Sequence, residues 1–145
     1  MNYSDKVLDH FSNPRNVGVI DDANVVVQVG DPDCGDSVLY FLKFEKNRVQ
    51  DIKYLVKGCG AAIATSSIAS EIAKGRTLDA LLEISEDEIA TALDGLPAEK
   101  MHCSNLAASA LRAVVQSYRD KLADSEQADH EDPMAPAQAH GALHN

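Results

Sequence analysis

The residues best suited to chemistry in this 145-residue chain are its three cysteines, Cys34, Cys59 and Cys103. Asp36 follows the first of them by two positions, and His102 directly precedes the last. A cysteine thiol can be an inert part of the core. As a thiolate it is a good nucleophile and a soft metal ligand, so catalysis and metal binding are the two other possibilities. The five residues predict a site if the fold brings them together.

The sequence around the cysteines is more typical of a site than of a core. Glycines flank Cys59 on both sides and one follows Cys34, and glycine allows another group to approach the backbone closely. Cys59 and Cys103 come just before predicted helices, whose N-termini stabilise a thiolate and lower its pKa. We therefore expect the thiols at junctions between elements, outside their apolar stripes.

Three thiolates repel one another unless a cation lies between them, so a metal ion or a metal–sulfur cluster is the natural occupant of a shared site. His102 and Asp36 each stand beside a cysteine and are candidates for a fourth ligand. At a loop-to-helix boundary, His102 and Cys103 need not point apart as neighbours inside a helix do. The candidate ligands are Cys34, Asp36, Cys59, His102 and Cys103.

The elements that must position these residues are predicted as three strands followed by helices. Strand-like runs occupy residues 24–29, 37–45 and 49–57, with a hairpin turn at 46–48, which predicts an antiparallel meander. The period then changes to that of a helix. The prediction is an α+β fold: a three-stranded antiparallel sheet with helices packed on one face, and a metal or cluster site at one end.

Local signals give approximate helix boundaries. Ser4 is placed as the N-cap of a first short helix, Thr77 caps a short helix through Ile84, and Ser85 with Glu88 matches a capping box. An alanine- and serine-rich helix runs from residue 61 to a stop at Gly75. Its predicted apolar face is Ala61, Ala64, Ile68 and Ile72, and the longest helix is expected from Ser104 to about Ala123, with Ala107, Ala110, Leu111, Val114 and Tyr118 as its stripe.

Composition narrows the function and the domain organisation. The net charge is −10 and no basic stripe is present, which argues against nucleic-acid binding. No run of about 18 apolar residues indicates a membrane span, and the N-terminus does not resemble a secretory signal. We expect a cytoplasmic protein with one domain over residues 1–123. Residues 124–145, acidic and poor in large apolar side chains, are predicted to form a disordered tail.

Four segments together resemble the NifU/IscU-type iron–sulfur cluster assembly scaffolds. They are "YSDKVLDHFSNPRNVG", "GDPDCGDS", "GCGAAIATSSIASE" and "KMHCSNLAASAL", in this order and at about the family's separations, within residues 2–120. The resemblance implies a scaffold or carrier rather than an enzyme. On it, iron and sulfide would be assembled into a transient 2Fe–2S cluster for acceptor proteins. It also implies a cysteine desulfurase as sulfur donor and an electron donor such as a ferredoxin.

The resemblance also assigns roles to residues. By position, Cys34, Cys59 and Cys103 would be the thiolate ligands, with Asp36 and His102 as the non-thiolate candidates. Cys103 would be the first acceptor of persulfide sulfur. Isolated members of the family often hold zinc at the same place.

This chain departs from the family pattern in three places. The loop at 96–100 reads "LPAEK" where the IscU branch has an LPPVK-like chaperone-recognition sequence, so Ala98 and Glu99 put a dedicated chaperone in doubt. The sequence resembles only the first module of NifU proteins proper. It also lacks the insertion between Cys59 and Cys103 that marks the zinc-dependent SufU-type sulfurtransferases.

Two other functions account for some of the same residues. A zinc-containing persulfide acceptor would relay sulfur through Cys103 without building a cluster. A structural zinc module used for protein contacts would explain the thiols but not the placement of Asp36 and His102.

Overall fold

An antiparallel sheet forms the base of the fold in the computed structural model, which describes residues 3–30 and 35–130. Lys46 and Asn47 both have positive φ, 55° and 63°, as in the two-residue turns whose twist suits a hairpin. The turn predicted at 46–48 therefore joins two paired strands, and the predicted meander is confirmed. The strands, in the sheet order β1–β2–β3, are β1 (Val25–Gly30), β2 (Ser37–Glu45) and β3 (Arg48–Lys57).

Five α-helices are present among the described residues, and local capping chemistry sets the start of three of them. The hydroxyls of Ser4, Thr77 and Ser85 each accept the backbone N–H three positions on, as predicted. None of these helices is both long and apolar enough to cross a membrane. The helices are α1 (Asp5–Ser12), α2 (Gly60–Ala73), α3 (Leu78–Leu82), α4 (Glu86–Ala92) and α5 (Met101–His130), and a 3₁₀ turn (Ala98–Lys100) precedes α5.

The helices α2 and α5 cover one face of the sheet, which confirms the predicted α+β architecture. Tyr40 donates a hydrogen bond to the carbonyl of Ser66 on α2 at 3.0 Å, and the Phe44 ring lies 4.4 Å from that of Tyr118 on α5, centroid to centroid. Val25 of β1 and Val49, Ile52 and Tyr54 of β3 belong to this core, and alternate residues of β2 join them. The β2 residues are Val38, Tyr40, Leu42 and Phe44.

The small residues of α2 are its most buried ones. Ile68 and Ile72, which the sequence places on the apolar face, are only partly buried. Short side chains allow the helix backbone to lie close to the sheet. On this helix the small side chains are therefore the buried ones, whether they are polar or apolar. The buried set is Ala61, Ala62, Ala64, Thr65, Ser66, Ser67, Ala69, Ser70 and Ala73.

The last helix is longer at both ends than the sequence predicts. It begins at Met101 rather than Ser104 because the 3₁₀ turn leads directly into it, and it continues past the predicted boundary at Ala123 to His130. No glycine or proline occurs in residues 124–130, and Pro133 is the first residue that must stop a helix. Residues 131–145 lie outside the described part, so the division into 1–123 and 124–145 stays a prediction.

A buried histidine on α1 contacts a serine of α2. His10 is 5% exposed; its Nδ1 lies 2.7 Å from Ser67 Oγ, and its Nε2 lies 3.6 Å from Glu71 Oε1. Burial lowers the pKa of His10 and the charge of Arg15 lowers it further, while Glu71 opposes both. The folded protein therefore favours neutral His10.

This burial predicts a pH-dependent loss of stability. The pKa of His10 is below its ordinary value of 6.5 in the folded state, so the unfolded chain binds more protons once the pH falls below that value. The stability that neutral His10 contributes is present above pH 6.5 and is lost as the pH drops. We therefore expect the free energy of unfolding, measured by urea titration, to fall less in His10→Asn than in wild type when the pH is lowered from about 7.5 to about 5.5. Equal losses would contradict this assignment.

Candidate metal centre

The Asp36 carboxylate, just before β2, faces the start of α2. The backbone N–H of Cys59, the N-cap residue of α2, donates to Asp36 Oδ1 at 3.3 Å. Cys59 Sγ lies 3.8 Å from Asp36 Oδ2. Two residues that are 23 positions apart are thus held together where β3 passes into α2.

Gly58 makes this approach possible. A Cβ built on Gly58 would lie 2.8 Å from the carboxyl carbon of Asp36 and 3.1 Å from Ala62 Cβ. Its φ of 156° is also unfavourable for other residues. Glycine is therefore required here so that the carboxylate can reach the Cys59 backbone, which is the close approach expected from the flanking glycines.

Cys103 brings the second thiol to the same place from the first turn of α5. Its Sγ lies 3.9 Å from Cys59 Sγ and 3.5 Å from Asp36 Oδ2. One ligand atom from each of Asp36, Cys59 and Cys103 lies within 4.8 Å of the other two. Two thiolates on one tetrahedral ion with bonds of about 2.3 Å are about 3.8 Å apart. The observed sulfur–sulfur distance therefore suits a single tetrahedral cation.

His102 stands at the outer edge of this three-residue group. Its Nε2 lies 3.3 Å from Asp36 Oδ2 and 3.5 Å from Cys103 Sγ, and its side chain is 60% exposed. Its Nδ1 lies 3.2 Å from the carbonyl oxygen of Glu99, which can only accept a hydrogen bond. Both ring nitrogens thus lie near oxygen atoms, and Nε2 is the one that faces the site.

Of the five predicted ligands, the structure brings Asp36, Cys59 and Cys103 into one compact group with His102 at its edge. Cys34 lies outside the described residues, so its part in the site stays a prediction. The predicted position of the site at one end of the sheet agrees with the geometry, because Asp36 directly precedes β2 and Cys59 closely follows β3.

The expectation of a lowered pKa is wrong for Cys103. This residue is only 1% exposed, and burial raises the pKa of its thiol; the neighbouring Cys59 sulfur and the Asp36 carboxylate raise it further. The favourable dipole at the start of α5 does not outweigh burial and two anionic neighbours. A coordinated cation reverses this balance, because a metal-bound thiol is deprotonated.

A cavity of about 710 Å³ opens beside the thiols. Asp36, Cys59 and His102 line one part of it, and Lys100 lines it next to them. Sequence analysis did not identify Lys100 as a site residue. The available signal was a lysine two positions before His102, just before the helix that carries His102 and Cys103.

Fold and site together define a small α+β domain with a thiol–carboxylate group that could hold a metal ion. Residues 2–125 match the family described as the NifU-like N terminal domain, and the chain belongs to that family. It is 58% identical over 116 residues to the iron-sulfur cluster assembly scaffold protein IscU 1 of Archaeoglobus fulgidus, covering 80% of this chain and 76% of that one. It is 46% identical over 125 residues to the scaffold protein IscU of Azotobacter vinelandii, covering 83% and 97%.

A solved structure supports the fold. It is the crystal structure of a putative iron-sulfur cluster assembly scaffold protein for the SUF system from Fervidobacterium islandicum, with a TM-score of 0.67. The match covers 78% of this chain and 96% of that one at 20% identity. At this identity the comparison establishes the shared architecture.

The role of Gly58 leads to a prediction about metal affinity. In Gly58→Ala the new methyl group displaces the Asp36 carboxylate, so we expect zinc affinity, measured by competition with a chromophoric chelator, to fall about tenfold or more. Gly75→Ala is the matched control. Gly75 also has positive φ, 86°, but a Cβ added there meets no described atom within 4 Å. Unchanged zinc affinity in Gly58→Ala, or an equal fall in the control, would contradict the role assigned to Gly58.

Proposed function

We propose that this protein is a scaffold on which a transient 2Fe–2S cluster is assembled from iron and persulfide sulfur and then passed to acceptor proteins. The observation that carries the proposal is the compact group of Asp36, Cys59 and Cys103, with His102 at its edge. The scaffold names of relatives that are 46% and 58% identical support it. The protein acts as a carrier rather than as an enzyme.

A mixed ligand set suits a cluster that must be released. Clusters that stay in place are normally held by four thiolates. A carboxylate or an imidazole is a harder donor than a thiolate and binds soft iron less well. The proposed ligands are Cys34, Asp36, Cys59 and Cys103, and His102 competes with Asp36 for the non-thiolate position. The position of Asp36 within the compact group favours it over His102.

Sulfur delivery is assigned to Cys103. Its thiolate attacks the terminal sulfur of a cysteine desulfurase persulfide; a new S–S bond forms on Cys103, the donor's S–S bond breaks, and the donor leaves as a thiolate. Reduction of this persulfide to sulfide needs two electrons, for which a ferredoxin-type protein is the proposed donor. Because Cys103 is 1% exposed, the donor reaches it only after the residues that cover it move aside.

The remaining parts of the proposal follow from composition and loop sequence. We place the protein in the cytoplasm because free thiols stay reduced there, and we propose no nucleic-acid partner because the net charge is −10. Zinc is the expected occupant of the isolated protein. A dedicated chaperone stays in doubt because Ala98 and Glu99 depart from the recognition sequence of the IscU branch.

One observation favours a second candidate function, a zinc-containing persulfide acceptor that relays sulfur without building a cluster. The distance of 3.9 Å between Cys59 Sγ and Cys103 Sγ suits a single tetrahedral ion. The same pair suits the first iron of a cluster equally well. Reconstitution distinguishes the two functions.

The full chain, free of metal and kept anaerobic, is incubated with ferrous iron, cysteine and a cysteine desulfurase. Visible absorption and Mössbauer spectra are expected to show a 2Fe–2S cluster, because the site offers thiolates for iron and a route for sulfur. Peptide-resolved mass spectrometry of the zinc-bound protein reports persulfide on each cysteine. Persulfide on Cys103 without any cluster would reject the scaffold function in favour of the relay.

The role of a weak ligand predicts the effect of removing it. In Asp36→Ala the non-thiolate position passes to the imidazole of His102, which is a better donor to iron than a carboxylate. We expect the cluster to persist longer and to transfer more slowly to an apo-acceptor, as followed by absorbance and circular dichroism. Asp79→Ala removes an exposed carboxylate that pairs with Arg119 and should behave as wild type. Equal or faster transfer in Asp36→Ala would contradict the weak-ligand argument.

A further inference from the structure

Lys100 lies at the end of the 3₁₀ turn that leads into α5. Its backbone N–H donates to the Pro97 carbonyl at 2.8 Å, which fixes the main chain at this point. Its side chain lines the same cavity as Asp36, Cys59 and His102. Among the described residues that line this cavity, Lys100 is the only lysine or arginine.

The surroundings of Lys100 are rich in groups that are negative or become negative. Asp36 and Glu86 line the cavity with it, and the Cys59 thiol lies in the same wall. Lys100 therefore offers the positive charge that faces these groups across the cavity.

The cargo of the proposed function adds to this negative charge. In an oxidised 2Fe–2S cluster, four anionic ligands and two sulfides outweigh the charge of two ferric ions, so the whole site is negative. An incoming persulfide and a thiolate nucleophile are also anionic. A fixed positive charge at the cavity wall attracts both and reduces the repulsion among the thiolates.

We propose that Lys100 is a positioning residue whose ammonium group draws anionic sulfur reagents into the cavity beside the paired thiols of Cys59 and Cys103, and helps to retain the negatively charged cluster. The proposal rests on the proposed function for its cargo, but its electrostatic part is a property of the protein alone. It assigns Lys100 a role at the site itself, whereas the sequence comparison considered it only as part of a chaperone-recognition loop.

The decisive experiment compares an anionic with a neutral thiol reagent. Reduced, metal-free full-length protein is alkylated with iodoacetate or with iodoacetamide, and the rate at Cys59 is read by peptide-resolved mass spectrometry. The ratio of the two rates cancels the fraction of thiolate and reports the local charge. We expect Lys100→Gln to lower this ratio about two- to fivefold, the range for an exposed charge pair, and Lys100→Arg to preserve it.

Two controls distinguish the local effect of the Lys100 charge from the effect of changing the net charge of the protein. Lys74→Gln removes the same charge at the far end of α2, about 20 Å from Cys59, and should leave the ratio unchanged. In wild type the ratio should fall toward that of Lys100→Gln at about 1 M salt, where the screening length is about 3 Å. An unchanged ratio in Lys100→Gln, or an equal fall in Lys74→Gln, would overturn the proposal.

A second measurement tests the retention of cargo. After reconstitution, the cluster on Lys100→Gln should decay about two- to fivefold faster than on wild type, with Lys100→Arg in between or equal to wild type. Equal lifetimes in all three proteins would overturn the part of the proposal that concerns retention. If wild type itself forms no cluster, the proposed function fails, while the alkylation ratio still decides whether Lys100 attracts anionic reagents.

Discussion

The contact between the Asp36 carboxylate and the start of α2 is the interaction on which the rest of the site depends. It joins the segment before β2 to the turn after β3, and Cys103 of α5 lies against the same carboxylate oxygen as His102. Gly58 must lack a side chain for this contact to form. Three distant parts of the sequence therefore meet at one carboxylate, and a change in its position alters the whole donor set.

This arrangement brings together groups that repel one another when they are charged. The raised pKa of Cys103 is the consequence, because a second thiolate beside Asp36 and Cys59 is unfavourable in a buried position. A cation removes the conflict, since it pairs with all of these donors at once. The sheet and the two long helices hold Asp36, Cys59 and Cys103 near one another.

Much of the fold follows from local patterns, and the differences have identifiable physical causes. The hairpin at residues 46–48 and the caps at Ser4, Thr77 and Ser85 depend on short-range chemistry, so the sequence predicts them directly. The buried side of α2 depends on how closely a helix can approach the sheet, which its hydropathy pattern does not reveal. Of the five candidate ligands, Asp36, Cys59, His102 and Cys103 lie close together within the described residues, and their role as ligands stays a prediction.

The burial of Cys103 and the location of Lys100 could not be read from the sequence, because both depend on the path of the chain between α4 and α5. The donors differ in exposure. Cys103 is 1% exposed, the Asp36 side chain 19%, and the His102 side chain 60%. In the proposed ligand set, the thiolate of Cys103 is therefore on the inside, and the weaker donors to iron, Asp36 and His102, are toward solvent. An incoming acceptor thiolate meets the carboxylate and imidazole first, and replacing a weak ligand is easier than replacing a thiolate. Release from the outer side is therefore favoured by the order of the ligands as well as by their identity.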